Sequence, residues 1–106
     1  MGSAPFVYLP DVAGMVNVVP DGILSRTVSK TDKVTAVVFS FGAGQELSEH
    51  TSAKAAIIQV LQGKAEISLG GETFEAGPGS LIEMTPNLTH RVLAVTDMVM
   101  LLLLLQ

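Results

Sequence analysis

The punctuation of this chain constrains its fold more than any other feature. Short runs of β-branched and aliphatic residues are cut by Gly, Pro and Asn turns about every 8 to 12 residues, the pattern of a sandwich or closed barrel. Lys33–Phe41, Ala56–Leu61, Lys64–Leu69, Thr73–Glu75, Ser80–Thr85, His90–Val95 and Met98–Leu105 read as strands. Lys64–Leu69 alternates cleanly, with Lys64, Glu66 and Ser68 on one face and Ala65, Ile67 and Leu69 on the other, as a half-buried strand does. Gly70-Gly71 then suits a two-residue hairpin, because both positions tolerate positive φ. Asp21-Gly22, Gly42-Ala43-Gly44, Gly77-Pro78-Gly79 and Pro86-Asn87 mark further breaks. Helical periodicity fits only Thr51–Ala56.

Composition agrees with one folded domain over residues 1–106. Apolar residues make up 48% and charged residues 15%, enough apolar matter to bury a core. Aromatic residues are few, so that core is built from Val, Ile, Leu, Ala and Met. The net charge is −4 and the six basic residues are scattered, which argues against nucleic acid as a partner. The absence of cysteine excludes disulfides, thiolate chemistry and Cys-ligated metal. Met1–Pro10 lacks a basic n-region and a sustained apolar h-region, so no signal peptide is expected and a cytoplasmic protein is. The apolar run Met98–Leu105 falls far short of the ~20 residues a bilayer helix needs, so no membrane partner is expected. It reads as a strand buried on both faces, or one packed against a second subunit.

Two stretches resemble the paired motifs of the cupin superfamily. The first family motif runs glycine, five residues, H-x-H, three or four residues, glutamate, six residues, glycine. Over residues 44–63, Gly44 opens it, His50 takes the first His and Gly63 closes it, while Ser52 and Ala56 stand at the second His and the Glu. The second motif runs glycine, five residues, P-x-G, two residues, His, three residues, Asn. Over residues 79–94, Gly79 and His90 fit it, while Thr85, Asn87 and Ala94 replace the Pro, Gly and Asn. The resemblance spans residues 36–95. It implies an all-β fold, a cupin-type antiparallel β-barrel (double-stranded β-helix, or jelly roll).

Family members with an intact site hold a divalent metal through three His and one Glu. Here the resemblance implies His50 and His90 as the metal ligands that remain, with Fe, Mn, Ni, Cu or Zn as the cofactor. Ser52, Ala56, Ile58, Val60 and Met84 are the candidate pocket residues. Compensating carboxylates are conceivable: Glu46 by its parity with His50, Glu83 by its place before His90, and Glu49 less so, since alternation turns it away. Three readings stay open. The two histidines bind a metal with water or another ligand, or line a metal-free pocket as hydrogen-bonding or acid–base groups, or merely satisfy each other inside a filled barrel.

The other distinctive residues have plainer expectations. Gln59 needs a partner if buried. Met15, Met84, Met98 and Met100 suit core packing. Tyr8 and Phe6 lie in an N-terminal segment that small cupins often use to dimerise, so a homodimer is expected. The function expected is binding of a small polar metabolite. The alternative is a metal-dependent oxygenase or isomerase of a small organic substrate.

Overall fold

The computed structural model describes residues 5–106, so the first four residues of the Met1–Pro10 stretch lie outside the described residues. Among the described residues, nine strands follow a single 3-10 turn at Ala13–Met15. They are β1 (Ile23–Lys30), β2 (Val34–Phe41), β3 (Glu46–His50), β4 (Ala56–Gln62), β5 (Ala65–Leu69), β6 (Glu72–Ala76), β7 (Leu81–Met84), β8 (His90–Ala94) and β9 (Met98–Leu105). All pairings are antiparallel. One sheet has the order β1-β2-β9-β4-β7 and the other β3-β8-β5-β6. The chain crosses repeatedly between sheets, which makes the two layers one barrel. No helix is long and apolar enough to cross a membrane among the described residues.

Period-two patterning decides what lies between the sheets. Phe41, Ile58, Val60, Met98 and Met100 from the first sheet meet Ala65, Ile67, Val92 and Ala94 from the second in one buried cluster. Each large aliphatic side chain buried this way contributes about 1.5–3 kcal/mol. Val38, Ser40 and Val99 are also buried, yet alternation points them outward. The N-terminal segment lies over them: the Ser40 hydroxyl donates to the Asn17 carbonyl at 2.7 Å, and Arg26 reaches the Met15 carbonyl at 3.3 Å. Strand β9 is therefore buried on both faces only over Met98–Met100, and Leu101–Leu104 are half-buried. Gln59 is half-exposed, which relieves its amide of any need for a buried partner.

The turns follow local chemistry. Gly70 and Gly71 take φ of +57° and +95°, the twisted two-residue hairpin that only achiral residues enter freely. The helical expectation for Thr51–Ala56 is wrong: residues 51–55 form an irregular connection, and Ala56 begins β4. Ala56 pairs with both Leu104 and Met84, so two ladders claim its backbone and a helical turn has no place there. Strand β1, which carries Ser, Arg, Thr and Lys along an exposed edge, has too weak an apolar pattern to be read from sequence.

Candidate functional site

The two histidines meet across the β3–β8 ladder. His50 ends β3 and His90 begins β8, and they are directly paired, with ring centroids 4.1 Å apart and planes inclined by 57°. A β-bulge makes this possible. Leu47 pairs with Val92 and His50 with His90, so Ser48 and Glu49 together oppose Arg91. The extra residue returns His50 to the face that Leu47 shares with the core, three positions earlier.

The same bulge overturns the parity argument for Glu46. That residue lies on the outer face, where Arg91 grips it with Nε–Oε2 at 2.6 Å and Nη2–Oε1 at 3.2 Å. The hydrogen bond from Arg91 holds the Glu46 carboxyl below the usual carboxylate range, and Glu46 in turn raises the guanidinium. Glu49 and Glu83 are exposed, Glu83 between the inward-facing Ile82 and Met84. Among the described residues, no three His, Cys, Asp or Glu side chains gather as a metal-binding group.

Each ring is held by a backbone carbonyl two residues before it. His50 Nδ1 donates to the Ser48 carbonyl at 2.7 Å, and His90 Nδ1 donates to the Leu88 carbonyl at 2.9 Å. A carbonyl can only accept, so each neutral ring carries its proton on Nδ1 and keeps a lone pair on Nε2. This is the orientation that metal-binding imidazoles commonly have. His90 is only 7% exposed while His50 is open to solvent, so the pair has one wall in the barrel and one in water.

Two short connections fix this end of the barrel. Residues 51–55 join His50 to Ala56, and residues 85–89 join Met84 to His90. They are stitched by the Asn87 amide donating to the Ser52 carbonyl at 2.7 Å. Ser52 itself is half-buried, and its hydroxyl accepts from the Lys54 amide at 3.2 Å. Ala56 and Met84 are direct cross-strand partners, and both are buried. Ile58 and Val60 lie deeper along β4, packed in the core. The structure therefore brings His50 to His90, and Ala56 to Met84, at one mouth.

Register extends that mouth across the facing sheet. Lys30 pairs with Thr35, Thr35 with Leu104, Leu104 with Ala56, and Ala56 with Met84. Directly paired residues share a face, so this row turns toward the same side as the buried Ala56. The sequence gives no sign of Lys30 or Thr35 as mouth residues, because only cross-strand pairing puts them there. A cleft of about 490 Å³ lies at this end, lined by Lys30, Thr31, Asp32, Thr35, Lys54, Leu104 and Gln106. A second, of about 360 Å³, opens between β6 and β7, with Phe74, Leu81, Glu75 and Glu83 among its walls. Neither cleft has His50 or His90 in its lining.

The donor set that would hold a divalent metal is the two imidazoles, with no carboxylate beside them among the described residues. Two imidazole Nε2 atoms are available, and oxygens from water or a bound molecule must supply the remaining positions.

Comparisons with known proteins agree with the architecture. The family profile described as Cupin domain matches residues 37–105. A conserved protein of unknown function from Streptococcus pyogenes, SPY1581, is 30% identical with a TM-score of 0.84, covering 99% of this chain and 92% of that one. An RmlC-like cupin protein from Desulfovibrio desulfuricans is 27% identical with a TM-score of 0.77, covering 99% and 96%. KdgF from Halomonas sp. is 26% identical with a TM-score of 0.75, covering 85% and 84%. A comparison with curated proteins finds no match. With the profile spanning most of its length and its antiparallel barrel recurring in these structures, the chain belongs to the cupin family.

Proposed function

We propose that this cupin binds a small polar metabolite at the barrel mouth, with a divalent metal held by Nε2 of His50 and Nε2 of His90. The observation that carries this is the paired anchoring of the rings. Both Nδ1 protons are committed to backbone carbonyls, which leaves two lone pairs on neighbouring strands at a solvent-reachable edge. A metal held there would supply Lewis acidity toward ligand oxygens. The chain's own residues hold the rings in one tautomer, close the inner side with His90's buried neighbours, and leave His50 accessible. A binding role is favoured over an oxygenase or isomerase role because no further carboxylate joins the two rings among the described residues.

Equilibrium dialysis against each ion, with elemental mass spectrometry of both chambers, tests this. Close to one metal per chain is expected for the native protein, and its loss in both His50→Ala and His90→Ala. No retained metal with Fe, Mn, Ni, Cu or Zn would remove the metal from the proposal.

The same protein is proposed to act as a homodimer. Phe6, Val7 and Tyr8 are 72%, 60% and 76% exposed, and Leu101 and Leu103 are only half-covered on the outer sheet face. So much apolar surface on a small domain is better accounted for by a partner copy. Light scattering should give twice the chain mass, falling to a monomer in a Phe6→Ser/Tyr8→Ser variant. A native monomer at micromolar concentration would contradict it.

A further inference from the structure

The barrel mouth has a polar half that the histidines do not explain. In the 490 Å³ cleft, the Lys54 ammonium donates to Gln106 Oε1, and Gln106 Nε2 donates to Thr35 Oγ1 at 3.1 Å. This relay settles the direction of each group. The Gln106 amide spends its acceptor on Lys54 and one donor on Thr35. Thr35 accepts there, and its own hydroxyl proton takes no acceptor among the described residues. Lys54 retains two further N–H groups, and Lys30 adds an ammonium from the paired strand. Thr31 is different: its oxygen accepts from the Lys33 and Val34 amides at 3.1 Å each and donates to the Val34 carbonyl, so it shapes the turn.

The groups left free are therefore almost all donors. Among the described residues, Asp32 is the one side-chain carboxylate lining the cleft, set against two ammonium groups. Two lysines against one acidic side chain is the reverse of the balance over the whole chain, whose net charge is −4. Its volume lies within the range of about 300–1,000 Å³ typical of small-ligand sites.

We infer that Lys30, Thr35 and Lys54 form an oxyanion subsite at the barrel mouth, so that the metabolite bound there is a small organic acid or phosphate. This rests on the proposal that the mouth is the binding site, and it adds the ligand's charge. Charge-assisted hydrogen bonds from two lysines and a hydroxyl recognise the anion. The apolar part of the molecule then lies against Leu104, the one aliphatic side chain lining the cleft.

The test uses metal-free, ¹⁵N-labelled full-length chain titrated with malonate, inorganic phosphate and uncharged malonamide, followed by amide shifts. Saturable shifts centred on Thr35, Lys54 and Gln106 are expected with an anion and not with malonamide. Tighter binding of malonate assigns a carboxylate ligand; tighter binding of phosphate assigns a phosphate. Lys54→Gln and Lys30→Gln should each weaken binding about tenfold, the effect of losing one charge-assisted hydrogen bond. Lys64→Gln, an exposed lysine at the other end of the barrel, should leave it unchanged. Equal shifts with malonamide, or anion binding indifferent to Lys54→Gln, would overturn the inference. Because metal is absent throughout, loss of anion binding with metal uptake intact sinks only the subsite. The converse sinks only the metal.

Discussion

Replacing Gly63 with alanine isolates a packing constraint at the end of the barrel away from the histidines. Gly63 sits between β4 and β5 with φ of +80°, a conformation costing an L-residue about 1–2 kcal/mol. Conformation is the smaller part of the effect. A Cβ at Gly63 would lie 2.0 Å from the Asp97 carbonyl oxygen, 2.9 Å from Met98 Cα and 3.0 Å from the Asp97 carbonyl carbon. All three are backbone atoms, so no flexible side chain can swing aside. The opposing turn is also tied down: the Val95 and Thr96 amides both donate to the Lys64 carbonyl, and the Lys64 amide donates to Thr96 Oγ1. Gly71 is the control, with φ of +95° and nothing within 4 Å of an added Cβ. Gly71→Ala should therefore cost only the backbone strain, about 1 kcal/mol. Gly63→Ala carries similar strain and must also displace the start of β9, for a total of about 3 kcal/mol or more. For a domain of this size each kcal/mol moves the melting temperature by about 4–5 °C. Differential scanning calorimetry should then show a drop of about 5 °C for Gly71→Ala and about 15 °C for Gly63→Ala. Equal drops in the two variants would refute the contact argument.

Two further outcomes follow from single interactions. Glu46→Gln should lower stability to urea near neutral pH, where the Arg91-bound carboxylate is ionised. Because folding lowers the Glu46 pKa, its contribution is present above the ordinary carboxylate range and is lost as pH falls through the folded value. Native protein and variant should therefore converge in acid, and a gap independent of pH would contradict this. Ser40→Ala removes a buried hydroxyl and its hydrogen bond to the Asn17 carbonyl, a loss of about 1 kcal/mol. Hydrogen exchange should accelerate over residues 12–19, and unchanged exchange there would show that Ser40 does not hold that segment.

The core strands were legible because apolar alternation and glycine-rich turns are local signals. Lys64–Leu69, its Gly70-Gly71 hairpin and Met98–Leu105 emerge within a residue of their observed bounds. Strand β1 escaped because Ile23–Lys30 is an edge strand whose exposed polar residues carry little hydrophobic pattern. The meeting of His50 and His90 follows from the motif resemblance. The fate of Glu46 does not, since one extra residue in β3 reverses the parity of everything before it. Lys30, Thr35 and Lys54 were silent for a related reason: their proximity is a matter of register across β1, β2, β9 and β4. No spacing along the chain encodes it.

His50 and His90 are proposed to present both Nε2 lone pairs to one metal. Long-range ¹H–¹⁵N NMR of the imidazole nitrogens measures this directly, at a pH where the rings are neutral and before and after adding Zn²⁺. Two rings in the Nδ1–H tautomer are expected, with both Nε2 resonances moving together on zinc addition and saturating at one equivalent. Either ring in the Nε2–H tautomer, or zinc leaving one Nε2 resonance in place, would contradict it.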